Sequence, residues 1–202
     1  MRYYMLNKPQ GCVTACSDER HKTVMECFPE KEREGLFPIG RLDKDTVGLL
    51  IVTDDGNLAF KVANPASRVK KTYCFWAKGS FDEQKLERLR AGVTISTKRG
   101  DIVASGEVEC LAEGKLRDIA DLVDVDRARL MNTGLGDVPV VKLRVTITEG
   151  KKHQVKKMAL AVGLRVVYLE RLKIAGLSLD ESLPSGEFRP LTEEEIRALR
   201  GE

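Results

Sequence analysis

The sequence is poor in the residues that hold metal ions and form disulfides. Its 202 residues include two histidines and five cysteines, an odd number that contains no Cys-x-x-Cys pair. A disulfide-stabilised secreted protein is therefore not expected, and we predict reduced thiols in a cytoplasmic protein. No apolar run has the length of a signal sequence or of a membrane span, so we predict no membrane partner.

The chain also lacks a strong excess of charge of one sign. Its 34 basic and 31 acidic residues give a formal net charge of +3, so total charge does not by itself predict a nucleic-acid partner. Hydrophobic residues make up 42% of the chain and charged residues 32%, which is typical of globular proteins and excludes the disordered class. Any nucleic-acid site must come from local clusters of charge.

The residues that are present predict an α+β protein. Five runs rich in β-branched and aromatic residues predict strands: "RYYML", "GLLIVT", "KTYCFWAKG", "VVKLRVTIT" and "RVVYLERLKI". Helices are predicted at "EQKLERLRAG", at "HQVKKMALAVG" and near the C-terminus, with capping boxes at Ser80/Glu83 and Thr192/Glu195. We predict a mixed, largely antiparallel central sheet flanked by helices. Residues 1–202 would form a single domain, divisible into two lobes that share one sheet, at about 1–65 and 66–202.

The stretch "GRLDKDTVGLL" places four charges, on Arg41, Asp43, Lys44 and Asp45, between two apolar runs. A solvated turn accounts for them, because Gly40 breaks the first strand and Asp and Thr side chains bind backbone groups locally. An alternative is a carboxylate at a strand end that is kept ionised by the neighbouring arginine. A third is the Asp-x-Asp signature of Mg²⁺-dependent aspartyl phosphatases, although Gly40 and Arg41 interrupt the apolar strand that this signature requires.

Two short basic clusters are candidates for contact with RNA. In "EGKKHQVKKM", four lysines occupy the seven positions 151–157 at the start of a predicted helix, which fits a solvated face or a phosphate-binding helix N-terminus. In "RVKKTYCFWAKG", basic residues directly precede Tyr73, a combination that fits a core strand or a site for one unpaired base. His153 fits a hydrogen-bonding residue, a ligand, a base or a phosphate contact.

A zinc site is a weaker alternative. Its candidate ligands are Cys12, Cys16, His21 and Cys27, but the first pair has a loose spacing and no second tight pair follows it. We therefore predict no metal site.

Four sequence blocks resemble those of RNA pseudouridine synthases and occur in the same order. They are "LNKPQG" (Leu6–Gly11), "GRLDKDTVGLLIVTDDG" (Gly40–Gly56), "KKTY" (Lys70–Tyr73) and "EGKKHQVKKM" (Glu149–Met158). The resemblance is strongest to the branch named for ribosomal small-subunit pseudouridine synthase A, which modifies ribosomal RNA. Many relatives carry an additional N-terminal RNA-binding domain, which we expect this chain to lack. The segment 100–137 is harder to match, and we predict that it is a variable part that contacts a specific RNA.

The resemblance implies a pseudouridine-synthase-like fold and an isomerase that converts a specific uridine of ribosomal RNA to pseudouridine. It implies no cofactor and no metal, with ribosomal RNA or a ribosomal subunit precursor as the partner of a monomer. Two alternatives from other classes stay open. One is a non-catalytic RNA-binding ribosome-assembly factor, and the other is the Mg²⁺-dependent aspartyl phosphatase.

The resemblance also implies roles for individual residues. Asp43 would be the catalytic carboxylate, Tyr73 would stack on the target uracil, and Lys156 would pair with Asp43. The residues assigned to contact with the substrate or the RNA are Arg41, Lys8, Arg68, Lys70, Lys151, Lys152, His153, Gln154 and Val155, the last of which would pack next to Lys156.

Overall fold

The computed structural model describes residues 1–123 and 132–202. The strands are β1 (Tyr3–Lys8), β2 (Phe37–Pro38), β3 (Thr46–Thr53), β4 (Lys71–Lys78), β5 (Val93–Thr97), β6 (Gly100–Ala104), β7 (Glu107–Lys115), β8 (Pro139–Ile147), β9 (Arg165–Ile174), β10 (Leu177–Ser178) and β11 (Phe188–Pro190). The helices are α1 (Gly56–Ala63), α2 (Glu83–Ala91), α3 (Gln154–Ala161) and α4 (Glu193–Arg200). Residues 124–131, part of the segment predicted to vary, lie outside the described residues. All five predicted strands and the three predicted helices are confirmed.

The chain divides into two compact units, of which the first comprises Met1–Thr72 and Glu170–Glu202. Its strands follow the order β11-β1-β3-β9, while β2 also pairs with β3 and β10 with β9. The pairs β1/β3, β1/β11, β2/β3 and β9/β10 are antiparallel. Strand β3 is buried along nearly its whole length, as its continuous apolar run predicts.

Helices α1 and α4 cover the apolar core of unit one. Leu58 of α1 and Ile196 and Leu199 of α4 pack in one cluster with Met5 and Ile51 of the sheet. Helix α1 begins at an Asp55 cap that accepts from the backbone amides of residues 57 and 58, and α4 begins at the predicted Thr192/Glu195 capping box. The helix starts are therefore encoded locally, and burial of one apolar face holds each helix on the sheet.

The units differ from the two lobes predicted from the sequence. The C-terminal residues belong with the N-terminal ones, because β11 pairs with β1 through the partners Tyr4/Pro190 and Leu6/Phe188. Arg189 adds ion pairs to Asp180 and Glu195, both at 2.7 Å. The β1/β11 pairing joins residues far apart in the chain, which a division by sequence position does not detect.

Unit two comprises Tyr73–Leu169. Its strands follow the order β9-β4-β8-β7, and β5 and β6 form a separate antiparallel hairpin. Helix α2 begins at Asp82, whose carboxylate accepts from the Lys85 amide, so the predicted cap at Ser80 is wrong by two positions. Helix α3 ends where predicted, just before Gly163 with its φ of +78°.

The structure is an α+β protein with a mixed sheet, which confirms the predicted fold class. Among the helices of residues 1–123 and 132–202, none is long and apolar enough to cross a membrane.

Candidate functional site

In unit one, the charged stretch forms a tight loop between β2 and β3. Leu42 is a buried anchor, Asp43 is half-buried, and Arg41 and Asp45 are exposed on either side. The amide of Thr46 donates to the carbonyl of Asp43 at 3.1 Å, which closes the turn directly before β3. The loop thus presents a carboxylate and a guanidinium at the end of a buried strand, and we call residues 40–46 the Asp43 loop.

Residues that follow β1 support the Asp43 loop through its backbone. The hydroxyl of Thr14 donates to the Leu42 carbonyl at 2.8 Å and accepts from the Leu42 amide at 3.1 Å. The amide of Gly11 donates to the Lys44 carbonyl at 2.9 Å. Because these bonds engage the backbone, they fix the path of the loop itself.

Lys8 lies beneath the Asp43 loop and has no exposed surface. Its ammonium donates to the carbonyls of Thr46 at 2.8 Å, Pro9 at 3.0 Å and Lys44 at 3.4 Å. Burial lowers its pKa, and negative charge on nearby groups, which include Asp45 and Asp43, opposes that shift. The assignment of Lys8 to direct RNA contact is therefore corrected, because its charge faces inward and stabilises the Asp43 loop.

Cys12 and Cys27, two of the four candidate zinc ligands, lie close to Lys8 and interact with each other. A hydrogen bond from Cys27 lowers the pKa of Cys12 to about 6, against the opposing effect of burial, and the Lys8 charge lowers it further. His21 contacts Asp18 instead, with 3.2 Å between the ring Nδ1 and a carboxylate oxygen. In the described ranges, no three His, Cys, Asp or Glu side chains are grouped so that they could hold a metal ion.

The other basic candidates of unit one lie on the segment that leads into β4. Arg68 is exposed and has left-handed backbone geometry, with a φ of +47°, and Lys70 is also exposed. Lys71 is half-buried and donates to the Val69 carbonyl at 3.0 Å. Arg68 and Lys70 therefore present charge to solvent, as RNA contact requires.

In unit two, Tyr73 begins the buried part of β4 and is 8% exposed. The neighbouring Cys74 and Phe75 are also buried, so most of this strand has the predicted core character. The small exposed fraction of Tyr73 is compatible with an aromatic ring at the edge of a site.

The predicted basic cluster of unit two divides into exposed and structural residues. Lys151, Lys152 and His153 are exposed in the turn before α3, and His153 has left-handed backbone geometry with a φ of +56°. Gln154 is buried: its amide oxygen accepts from the Lys151 amide at 3.0 Å, and its amide nitrogen donates to Glu149 at 2.8 Å. Gln154 thus fixes the turn that presents the lysines.

Val155 is 5% exposed, so neither Gln154 nor Val155 offers much surface to RNA in this structure. We therefore correct both assignments, because Gln154 supports the turn and Val155 is a buried residue of α3. The lysines at the start of α3 differ as well. Lys156 and Lys157 are both half-buried. Lys157 also donates to the Ser96 carbonyl of β5 at 2.5 Å and so binds the hairpin to the helix.

Sequence analysis missed the basic tip of that hairpin. Lys98 and Arg99 are exposed in the turn between β5 and β6, and the turn is closed by a bond from the Thr97 hydroxyl to the Gly100 carbonyl at 2.7 Å. The run "KRGD" indicated a turn, and its adjacent positive charges were the signal that could have added it to the basic clusters. With Lys151 and Lys152, the tip brings the exposed cations of these two basic clusters of unit two to four.

Comparison with known proteins gives consistent matches. Residues 2–161 match the family model described as RNA pseudouridylate synthase. An uncharacterized RNA pseudouridine synthase of Bacillus subtilis, YtzG, is 40% identical over 198 residues, which cover 98% of this chain and 72% of the relative. Ribosomal small subunit pseudouridine synthase A of Salmonella typhimurium is 35% identical over 198 residues, with 98% of this chain and 74% of the relative covered.

Solved structures agree with these matches. A crystal structure of a pseudouridylate synthase superposes with a TM-score of 0.77 at 34% identity, covering 98% of this chain and 73% of that one. Human RNA pseudouridylate synthase domain containing 1 shares the fold, with a TM-score of 0.60 at 17% identity, covering 100% of this chain and 93% of that one.

Proposed function

The chain belongs to the RNA pseudouridine synthase family, and we propose that it isomerises a specific uridine of ribosomal RNA with Asp43 as the catalytic carboxylate. Relatives named ribosomal small subunit pseudouridine synthase A support ribosomal RNA as the substrate class. The family is one of isomerases, which removes the aspartyl phosphatase alternative. We further propose that the enzyme acts in the cytoplasm as a monomer without metal, and the free cysteines of the described residues are compatible with a reducing compartment.

The observation that carries the proposal is the fixed position of Asp43. The carboxylate is half-buried, and hydrogen bonds from Thr14, Gly11 and Lys8 hold the backbone of its loop. A carboxylate on a held backbone at the end of a buried strand is suited to chemistry, because a rigid support keeps the reacting group within the small tolerance that catalysis allows.

The reaction explains why a carboxylate is needed. Isomerisation breaks the bond between the ribose and N1 of uracil, turns the base, and joins the ribose to C5, so that C5 loses a proton and N1 gains one. No electrons are exchanged with an external reagent. An ionised Asp43 serves this reaction either by attacking the sugar or the base, or by removing a proton so that a glycal forms.

The other residues act on the base and the backbone of the RNA. We propose that Tyr73 stacks on the uracil while it is detached and that Lys156 is a further catalytic residue. The exposed cations Arg41, Arg68, Lys70, Lys151 and Lys152, together with His153, would bind phosphates of the RNA. A uridine inside a helix is inaccessible, so the enzyme must extrude it, at a cost of a few kcal/mol that stacking and phosphate contacts offset.

The experiment that tests the substrate class is a pseudouridine map of ribosomal RNA from cells that contain or lack the gene. We expect one or a few pseudouridines to disappear without the gene and to return when it is restored. An unchanged map would contradict ribosomal RNA as the substrate. If the map is unchanged while ribosomal subunits assemble slowly, the non-catalytic assembly factor becomes the better account.

A further inference from the structure

Arg171 of β9 is a second buried cation of unit one that binds the chain leading out of the Asp43 loop. Its side chain is 2% exposed, and its Nε donates to the carbonyl of Leu49 at 2.8 Å. Leu49 lies in β3, which follows the loop directly. Lys8 binds the same stretch of backbone three residues earlier, at the Thr46 carbonyl. Two buried cations therefore hold consecutive parts of the segment after Asp43.

Close contact between the backbones of β3 and β9 reinforces this attachment. Gly48 has a φ of +96°, and a Cβ at this position would lie 2.5 Å from the Arg171 carbonyl oxygen and 2.9 Å from Cγ of Glu170. Neither the backbone conformation nor the space admits another residue without a shift of one strand. The path of the chain from the loop into β3 is thus defined by its contacts with Arg171 and its neighbours.

The arginine is costly for stability. In the described part of the chain, its buried Nη2 has no hydrogen-bond partner. Lys71 lies near enough for the positive charge of Arg171 to lower the Lys71 pKa, in addition to the larger effect of burial. A buried charge with an unpaired donor is unfavourable, and an apolar side chain of similar volume is often as stable in such a position. Stability alone does not account for an arginine here.

We propose that Arg171 is a positioning residue for catalysis, which holds the Leu49 carbonyl and so keeps the Asp43 carboxylate in its reactive position. Arg171 touches no reacting atom in this account, and its effect passes through the backbone from Leu49 to Asp43. The inference rests on the proposed catalytic role of Asp43.

The test is Arg171→Met, which keeps an unbranched side chain and much of its volume but removes its charge and its donors. We expect the turnover number on saturating RNA to fall about 100-fold, because a displacement of about 1 Å is enough for such a loss. The dissociation constant for RNA should stay near the wild-type value. The urea midpoint should fall by less than in a core truncation, because removal of the unpaired Nη2 donor offsets the donor that the Leu49 carbonyl loses. A residue with a purely structural role would give the opposite result, a lower midpoint with an unchanged rate per folded molecule.

Ile174→Ala is the matched control. Ile174 is buried on the same strand, in the apolar core of unit one, and has no polar contact with the Asp43 loop to lose. Its truncation should lower the urea midpoint while the rate per folded molecule is kept. If Arg171→Met lowers the midpoint as much as Ile174→Ala, or keeps the wild-type rate, the inference is overturned.

Asp43→Asn, assayed in parallel, separates this inference from the proposed function. An active Asp43→Asn enzyme would overturn the proposed role of Asp43, and the positioning role with it. An inactive Asp43→Asn enzyme together with a fully active Arg171→Met enzyme would overturn the positioning role alone.

Discussion

Replacement of Lys8 by methionine tests whether a buried charge supports the Asp43 loop. The ammonium donates to the carbonyls of Pro9, Lys44 and Thr46. The Pro9 carbonyl also accepts from the Cys12 thiol, and the Lys44 carbonyl from the Gly11 amide, so both keep a donor in the variant. The Thr46 carbonyl is therefore the acceptor most affected by the loss of the ammonium, and its bond is the shortest of the three, at 2.8 Å.

A buried carbonyl that loses its donor costs about 1–3 kcal/mol, and removal of a buried ammonium returns part of that free energy. We expect Lys8→Met to lower the free energy of unfolding by about 1–2 kcal/mol, measured by urea denaturation. Turnover on saturating RNA, measured per folded molecule, should fall by about 10- to 100-fold, because the Asp43 loop loses support from below.

Lys44→Met is the control, because its side chain is exposed and only its backbone carbonyl takes part in the contact. It should change the free energy of unfolding by less than about 0.5 kcal/mol and leave turnover nearly unchanged. If Lys8→Met has the stability and the rate of the wild type, the buried charge does not support the loop and the reasoning fails.

Three further outcomes follow from the same structure. Burial holds the Lys8 pKa below its unfolded value of 10.5, so the stability of the wild type relative to Lys8→Met should rise as pH increases toward 10.5, and a flat difference would refute this. Tyr73→Ala should lose stacking worth about 1–3 kcal/mol, seen as lower turnover, whereas Tyr73→Phe should keep the ring contact and RNA binding. The logarithm of RNA affinity should fall with the logarithm of salt concentration, and Lys151→Ala and Lys152→Ala should each reduce that slope by about one. Lys85→Ala should leave the slope unchanged, because the Lys85 ammonium binds Ser80 just before α2.

The sequence was a good guide to the elements and to the family. The strands around Leu49, Phe75 and Leu143 are rich in β-branched and aromatic residues, and burial of these runs in the sheet follows from that composition. The Thr192/Glu195 capping box is a local signal and was found where expected. Asp43 was singled out both by its charged neighbours and by the resemblance to the family.

The direction of charged side chains was not predictable in the same way. Lysine is almost never fully buried, so the assignment of Lys8 to RNA contact took its charge to be exposed, and only the fold shows its ammonium among backbone carbonyls. Gln154 was grouped with the exposed lysines beside it, although it faces inward to Glu149. Arg171 drew no attention in a strand of alternating character, because its bond to Leu49 joins residues more than a hundred positions apart.

The division of the chain was missed for a similar reason. Pairing of β11 with β1 depends on contacts between the two ends of the sequence, and no local pattern in residues 188–190 indicates it. Local sequence patterns do not identify hydrogen-bond partners that are distant in the chain.

Turnover of Asp43→Asn beside Asp45→Asn tests the central claim most directly. The two carboxylates belong to one turn, and each substitution removes one negative charge while it keeps the shape of the side chain. Both purified variants, with urea midpoints and RNA dissociation constants measured, should be incubated with ribosomal RNA and scored for pseudouridine. We predict no product from Asp43→Asn, nearly wild-type product from Asp45→Asn, and RNA binding by both. Wild-type product from Asp43→Asn, or loss of product from Asp45→Asn alone, would contradict the account.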